Sequence, residues 1–243
     1  MLLDEQLSAR LEPFDSYWQA PEDVERGYAS FHQFYKVNYL PHMPADRQAR
    51  ILVVSCGPGY LVRLLNDQGY RQVTGIDSDP KKIAFAGRKG LNCRVARAFA
   101  FLRDQRAAFD AIVCEQELNH LTLSEMEAFL ALCRSALRPG GRLFVYGLNG
   151  ANPITGSESL AQNIDHFNTF TEYSLKQVLE HCGFTGVRVL PLKLYVFYRN
   201  PLNYVGLIAT AAIETSFRLL FALYGKSNRI FSKKIAAVCS APE

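Results

Sequence analysis

The sequence has no Cys-x-x-Cys pair, no block of like charges and no evident internal repeat. Its six cysteines are scattered, which favours buried thiols in a reducing compartment over disulfides or a metal site. The net charge is only +4, so composition gives no reason to expect a nucleic-acid partner. The first residues include Asp4 and Glu5 and lack an apolar core region. We therefore expect no signal peptide and a cytoplasmic protein.

Apolar residues make up 49% of the 243 residues, enough for one packed domain with appendages. The segment that organises the chain is Ile51 to Tyr60. It opens with a continuous apolar run typical of a strand buried on both faces, and a turn containing Ser55, Gly57 and Gly59 follows. Because glycine has no Cβ, a ligand can approach this backbone closely at the start of the next helix.

A second short strand ends in Asp77, which Ser78 follows. A carboxylate in this place of a nucleotide-binding fold accepts hydrogen bonds from ribose hydroxyls. A surface aspartate after a strand is the simpler alternative, but the spacing of twenty residues from Gly57 favours the ribose interpretation. Val62 stands where a dinucleotide fingerprint has its third glycine. An adenosine ligand smaller than NAD is therefore preferred over a nicotinamide cofactor.

Strand and helix patterns alternate along the rest of the chain. We predict strands near 51–55, 72–77, 92–96, 109–114, 141–147, 184–190 and 232–239. We predict helices near 59–68, 80–89, 98–104, 122–137 and 171–182. Ligands of an open parallel sheet bind at the carboxyl ends of its strands. The loops that carry Gly57, Asp77, Arg97 and Glu115-Gln116 should therefore meet at one cleft.

Several ordered motifs resemble those of class I S-adenosylmethionine-dependent methyltransferases. They are the glycine turn, Asp77, Phe109–Cys114, Leu118-Asn-His-Leu121 and Leu137–Val145. The resemblance implies an α/β fold, a Rossmann-like seven-stranded sheet with helices on both faces, and S-adenosylmethionine as cofactor. It implies that the cofactor contacts the strand ends at Ser55, Gly57, Gly59, Asp77, Ser78, Arg97, Ala98, Glu115 and Gln116.

The chain departs from the family pattern at three places. Val53 stands where the first strand usually carries an acidic residue, and Ser55 replaces a glycine-like turn position. Arg97 and Ala98 replace an Asp-Ala pair that commonly lies beside the adenine. Arginine cannot accept a hydrogen bond, so adenine would be held by backbone and stacking or bound weakly. A catalytically degenerate subunit with a regulatory or partner-binding role is therefore the alternative function.

The substrate side carries two histidines and a long polar loop. His120 occupies the place of the family's recurrent histidine, although a lone histidine is more often structural. The loop from Asn149 to Thr171 resembles methyltransferases encoded with bacterial surface-glycan biosynthesis. This resemblance implies O-methylation of a small molecule, a sugar or glycan intermediate of polysaccharide biosynthesis. We predict His166, ahead of His120, as the general base, and Tyr35, Asn149 and Asp165 as substrate residues.

We divide the chain into three parts. Residues 1–48 form an N-terminal helical cap, and residues 49–197 with 232–243 form the S-adenosylmethionine-binding domain. An apolar helical insertion at 198–231 interrupts this domain before its last strand. Tyrosine and phenylalanine recur at helical spacing within 21–40, which simple packing explains. Alternatively, this helix covers the cofactor cleft, and Arg26, Tyr28 or Tyr35 reaches the cofactor or the substrate.

The stretch 201–224 is strongly apolar, but Glu214 and Arg218 interrupt it, so we do not expect it to span a membrane. Four basic residues follow it: Lys226, Arg229, Lys233 and Lys234. Packing on the sheet, a homodimer interface and a peripheral contact with the inner face of a membrane are the three interpretations.

Overall fold

The computed structural model describes residues 21–115, 117–161, 166–193 and 201–243. Two of the predicted site residues, Gln116 and Asp165, lie outside the described residues.

Strands and helices alternate along the described chain. The strands are β1 (Arg50–Val54), β2 (Gln72–Asp77), β3 (Cys93–Val95), β4 (Phe109–Cys114), β5 (Leu137–Leu148), β6 (Thr185–Pro191) and β7 (Lys234–Ser240). The α-helices are α1 (Pro21–Asn38), α2 (Tyr60–Asp67), α3 (Pro80–Arg88), α4 (Ala98–Arg103), α5 (Leu123–Ala136), α6 (Gly156–Ala161), α7 (Glu172–His181) and α8 (Leu202–Leu223). Short 3-10 helices occupy Leu40–His42 and Glu117–His120.

The strands form one sheet in the order β3-β2-β1-β4-β5-β7-β6. Strands β1 to β5 pair in parallel, whereas β7 runs antiparallel to both of its neighbours. The expectation of parallel strands is therefore wrong for β7. The cause is the β6–β7 connection, which leaves and re-enters the same edge of the sheet, where Pro191 pairs with Ile235. Such a connection needs no crossover helix behind the sheet.

The centre of the sheet is buried on both faces, as the apolar run in β1 predicts. Leu52 and Val54 pack with residues of α4, α5 and α7 on one face. Ile51 and Val53 pack with α1, α2 and α3 on the other. All four side chains are 0% exposed. The predicted α/β fold, a Rossmann-like sheet with helices on both faces, is confirmed.

Helix bounds agree with the predictions for the five helices named above, and one helix was missed. The capping box at the start of α5 is present, with the backbone N–H of Thr122 donating to Glu125 Oε2 at 2.7 Å. Helix α6 lies within the segment expected to be a loop. Its six residues are too few and too polar for a periodic pattern to identify it.

Candidate functional site

The turn after β1 has an unusual backbone. Ser55 and Gly57 both have φ of 54°, and Gly59 has φ of 85°. A Cβ on Gly59 would lie 2.8 Å from Leu91 Cδ1, so this glycine is required for packing. A Cβ on Gly57 would meet nothing within 4 Å. The space above Gly57 is therefore open, as a turn that admits a ligand requires.

Asp77, at the end of β2, is hydrogen-bonded to this turn. The backbone N–H of Gly57 donates to Asp77 Oδ2 at 2.8 Å, and that of Asp79 donates to Oδ1 at 2.8 Å. Burial raises the pKa of Asp77, while these hydrogen bonds and Lys82 act in the opposite direction. Each carboxylate oxygen has a second lone pair, so both can still accept a ligand hydroxyl.

A small cleft open to solvent lies beside Asp77. It is lined by Ser55, Ile76, Asp77, Ser78, Ala96, Arg97 and Ala98. Five of these are predicted cofactor residues, so the structure brings together the loops after β1, β2 and β3. Ile76 and Ala96 were not predicted. Both lie next to predicted residues and supply apolar walls, which a motif based on polar groups does not reveal.

Arg97 occupies the N-cap position of α4 and makes no side-chain cap hydrogen bond there. Arg97 lines the cleft at the place where the family pattern has an acidic residue. A guanidinium can stack on an adenine ring but cannot accept its amino hydrogens. Binding of adenine here would depend on stacking and on backbone groups.

Glu115 directly follows β4 and contributes a second carboxylate to the site. Tyr35 donates from its hydroxyl to Glu115 Oε2 at 2.9 Å. Glu115 Oε1 is buried and receives no hydrogen bond from the described residues. Burial raises the pKa of Glu115 to about 7, although Tyr35 and Lys234 act in the opposite direction. A buried acceptor of this kind is costly unless a ligand donor satisfies it.

A cluster of aromatic and basic groups surrounds this carboxylate. Lys234 Nζ lies 3.3 Å from the Tyr146 hydroxyl and 5.0 Å from the centre of the Tyr146 ring. Burial and the charge of Glu115 raise the pKa of both Tyr35 and Tyr39 well above the usual value. These tyrosines therefore stay protonated and can only donate to the carboxylate. Tyr39, Tyr146 and Lys234 were not predicted, because they come from distant elements.

Helix α1 packs against α2 and also covers the glycine turn. The Tyr28 hydroxyl donates to the carbonyl oxygen of Pro58, inside the turn. Phe31 stacks on Tyr60 with ring centres 5.2 Å apart. Arg26 is exposed and lies 3.8 Å from Asp23, away from these contacts. Tyr35 is buried against Glu115 rather than open to a substrate, which corrects its predicted role to positioning of that carboxylate.

The two predicted base candidates are neighbours. The rings of His120 and His166 are 4.7 Å apart in a T-shaped arrangement. His166 Nδ1 lies 2.6 Å from the carbonyl oxygen of Ser159. A neutral ring can make this bond only with its proton on Nδ1, so Nε2 is the basic nitrogen. The sequence alone could not show that the two histidines share one site.

Asn119 holds this pair together. Its Oδ1 accepts from the backbone N–H of Leu148 at 3.2 Å, and its Nδ2 donates to the carbonyl oxygen of Asn168 at 2.7 Å. The backbone N–H of Phe167 donates to the Asn119 carbonyl oxygen at 2.8 Å. These bonds fix the 3-10 helix after β4 to the loop that carries His166, at the carboxyl edge of the sheet.

Asn149 does not face a substrate, which corrects the prediction. The side chain is 0% exposed, and its amide nitrogen donates to the carbonyl oxygens of Ile230 and Ser232 at 3.0 and 2.8 Å. Its amide oxygen accepts from the backbone N–H of Ala151 at 3.0 Å. All of its polar atoms are used within the chain. Asn149 ties the end of β5 to the segment before β7.

Comparisons with known proteins agree with this geometry. Residues 51–141 match a family model described as a methyltransferase domain. A ubiquinone biosynthesis O-methyltransferase of Xylella fastidiosa is 33% identical over 142 residues, 56% of this chain and 56% of that protein. The chain thus spans about half the length of the curated relatives that it matches.

Solved structures match most of the chain. A S-adenosylmethionine-dependent methyltransferase from Archaeoglobus fulgidus has a TM-score of 0.65 and 18% identity, covering 89% of this chain and 94% of its own. Phosphoethanolamine N-methyltransferase 2 of Haemonchus contortus, solved with S-adenosyl-L-methionine, has a TM-score of 0.60 and 14% identity over 95% of this chain and 60% of its own. Residues 51–141 therefore resemble a methyltransferase domain, and the chain shares its fold with solved S-adenosylmethionine-dependent methyltransferases.

Proposed function

We propose that this chain is a S-adenosylmethionine-dependent methyltransferase that transfers a methyl group to a hydroxyl of a small molecule. The observation that carries the proposal is the hydrogen bond of 2.8 Å between the Gly57 N–H and Asp77 Oδ2. It joins the open glycine turn to a ribose-type acceptor at the edge of one cleft. The match of residues 51–141 to a methyltransferase domain supports the same activity.

The residues present fit this cofactor. The cleft beside Asp77 offers acceptors for ribose hydroxyls and apolar walls for a base. The cofactor's amino acid end carries an ammonium group, and Glu115 Oε1 is a buried acceptor that no described residue satisfies. The backbone N–H of Glu115 donates to the Val54 carbonyl oxygen at 3.3 Å, which places the Glu115 backbone beside the glycine turn. Glu115 thereby offers the negative charge that Val53 does not.

When bound, S-adenosylmethionine supplies a methyl group activated by a positively charged sulfur. The chain must hold the acceptor in line and remove its hydroxyl proton. His166 Nε2 can take that proton, since the bond to the Ser159 carbonyl oxygen keeps the ring in the required tautomer. His120 packs against the same ring and is the second candidate.

The support for the chemical class of the methyl acceptor comes from the relatives and not from the residues of the cleft. The curated relatives named for ubiquinone biosynthesis are O-methyltransferases, which favours a hydroxyl acceptor and, as the first class to test, a phenol or catechol. The sugar or glycan acceptor predicted from the loop is the second class, and none of these relatives supports it.

A degenerate subunit without catalysis is the other candidate function. It is favoured by Val53 in place of an acidic residue and by Arg97 in the cleft. A subunit of this kind would keep the sheet and bind a partner without turning over the cofactor.

Calorimetry with S-adenosylmethionine and S-adenosylhomocysteine separates the two functions. We expect binding in the micromolar range, and no heat at millimolar cofactor would overturn the enzyme proposal. Radiolabelled methyl transfer to phenols, catechols, sugar nucleotides and glycans then identifies the acceptor class. Label in a methyl ether supports O-methylation, whereas label only on nitrogen acceptors contradicts it.

A further inference from the structure

Helix α8 carries large apolar residues on its outward face, whereas a helix of a protein core buries such residues. The residues that turn towards the chain include Asn203, which is 7% exposed, and Glu214, whose side chain is 17% exposed. The large apolar residues turn outwards. Leu202, Val205, Ile208, Leu219 and Leu223 are 71%, 63%, 73%, 64% and 83% exposed. A row of this size on the surface indicates an apolar surrounding that the described residues do not supply.

The helix is held by one side near its C-terminus. Phe217 and Phe221 lie 6.0 and 4.6 Å, between ring centres, from the buried ring of Phe231. Arg218 Nε donates to the Arg229 carbonyl oxygen at 2.7 Å. These contacts fix α8 to the domain and leave its apolar face outside. Simple packing on the sheet, one of the three interpretations of the insertion, is therefore wrong for this face.

The insertion leaves and re-enters the domain at the edge that carries the site. Pro191 at the end of β6 pairs with Ile235, and Lys234 at the start of β7 pairs with Leu148 at the end of β5. Asn149 and Asn152 bind the backbone just after α8, through the carbonyl oxygens of Ile230, Ser232 and Phe231. The segment that follows α8 is thus tied to the loop after β5.

This connectivity argues against a membrane span. The 22 residues of α8 reach about 33 Å, long enough to cross a bilayer, and the helix is the only described one that passes this test by length and composition. A single crossing would leave residue 223 on the far side of the membrane. The segment that follows is instead tied to the domain, because Glu172 accepts from the backbone N–H groups of Arg229 and Ile230 at 3.0 and 2.8 Å.

The charge around the helix indicates what covers it. Among the described residues, Lys193, Lys226, Arg229 and Lys233 flank the helix in sequence and Arg218 lies on it, whereas the one acidic residue of the described stretch 201–233 is Glu214. Glu214 lies 3.9 Å from Arg218 and is directed towards the chain. A second copy docked on this face would bring like charges together, whereas an anionic lipid surface complements them. Tyr204 and Tyr224, exposed at the two ends, are of the type that lies at headgroup level.

We propose that α8 lies in the plane of an anionic membrane surface, with its outward face among the acyl chains and the basic residues at the phosphates. The proposal extends the proposed function, on which its consequence for substrate rests. The carboxyl edge of the sheet would then lie beside the bilayer. The acceptor hydroxyl would belong to a molecule dissolved in the membrane.

The test is sedimentation of the full chain with vesicles of phosphatidylglycerol or of phosphatidylcholine, without cofactor or acceptor. We expect the protein to pellet with the anionic vesicles, and less so as salt rises. The double variant Leu219→Gln with Leu223→Gln should bind at least about tenfold more weakly, because it removes two apolar side chains from the lipid. Leu123→Gln, at a residue 61% exposed on α5, is the matched control and should leave binding unchanged.

Three outcomes would overturn the proposal. The full chain could stay in the supernatant with anionic vesicles, or alkaline carbonate could fail to release it, which would indicate a span. Light scattering could instead show a mass near twice 27.3 kDa without lipid that the double variant abolishes, which would indicate a second copy. Each of these leaves cofactor binding by calorimetry unaffected, so failure here is distinct from failure of the proposed function.

Discussion

Tyr35 and Glu115 are eighty residues apart in sequence and joined by a hydrogen bond of 2.9 Å. The bond links α1 to the end of β4, while Oε1 receives no hydrogen bond from the part of the chain that the structure describes. Because α1 also covers the glycine turn through Tyr28 and Pro58, the same helix orders two parts of the proposed cofactor site. Glu115, with its pKa raised to about 7, makes that site sensitive to pH in the neutral range.

Cofactor affinity should depend on the ionisation of Glu115. An ammonium group favours the ionised carboxylate, so affinity should rise with pH through about 7. Between pH 6 and 8 the ionised fraction grows about tenfold, and the affinity relative to that of Glu115→Gln should grow by the same factor. Calorimetry with S-adenosylmethionine at both pH values measures it. A ratio that does not change with pH would show that Oε1 does not bind the ammonium group.

Tyr35→Phe is the companion variant. It removes a donor that lowers the pKa of Glu115, so the rise in affinity should move to higher pH. A shift to lower pH would contradict the assigned direction of the hydrogen bond. Tyr173→Phe, which removes a hydroxyl bound to Ser227 instead, should leave the pH dependence unchanged.

Stability should also depend on Glu115, with the opposite sign. Its pKa rises from 4.5 in the unfolded chain to about 7 in the fold, so the neutral acid stabilises the fold below pH 4.5. That contribution is lost as pH rises to about 7, and the total is about 3 kcal/mol. Glu115→Gln should therefore gain stability relative to the native chain as pH rises from 5 to 7.5. Urea unfolding at several pH values measures this, with Glu158→Gln on the surface as control.

Asp77→Ala should lower cofactor affinity at least tenfold. Each hydrogen bond from a hydroxyl to this carboxylate contributes about 1.5–3 kcal/mol, and the variant also releases the Gly57 N–H. Calorimetry measures the affinity, and circular dichroism checks the fold. The control is Asp67→Ala, at the exposed end of α2. It removes the same negative charge and should bind the cofactor normally. Equal affinity for both variants would place the ribose elsewhere.

The fold and the convergence of the strand-end loops were predictable because local pattern determines both. A run such as Ile51 to Val54 can only be buried, and Asp77 follows its strand at a fixed distance from the glycine turn. Strand ends of a parallel sheet meet at one edge, so the loops after β1, β2 and β3 were expected to converge. The cleft contains five of the predicted residues.

The substrate side was not predictable to the same degree, because its contacts are made across long separations. Asn149 looks like a binding residue in a polar loop, yet the two carbonyl oxygens to which its amide nitrogen donates lie more than eighty positions away. Lys234 reaches Tyr146 only because β7 runs antiparallel to β5, which no periodicity reveals. Tyr35 fits an aromatic packing stripe, and its hydroxyl bond to Glu115 requires the tertiary structure.

Asn149→Ala should lower stability without lowering cofactor affinity. It leaves two carbonyl oxygens and the Ala151 N–H without partners in a buried place, which costs about 1–3 kcal/mol for each unsatisfied group. Urea unfolding measures the loss. Asn92→Ala, whose amide bonds are partly exposed, should cost less. A loss of cofactor binding with native stability would restore Asn149 to the site.

His166→Ala should lower kcat by about 10²–10⁴-fold, the usual effect of losing a positioned general base. Cofactor affinity should barely change, because the cleft beside Asp77 contains no atom of this ring. His120→Ala should lower kcat less, since this ring orients His166 by edge contact at 4.7 Å. Rates of methyl transfer to the acceptor identified by the screen measure both effects.

The two variants together decide which nitrogen takes the proton. His166→Gln keeps a donor for the Ser159 carbonyl oxygen but no base, so it should be as slow as the alanine variant. If His166→Gln is near native and His120→Ala is inactive, the base is His120 and the bond to Ser159 is structural. If both keep native turnover, neither ring removes the proton. The rate would then come from holding the acceptor in line, with the proton lost to water or to an acidic residue.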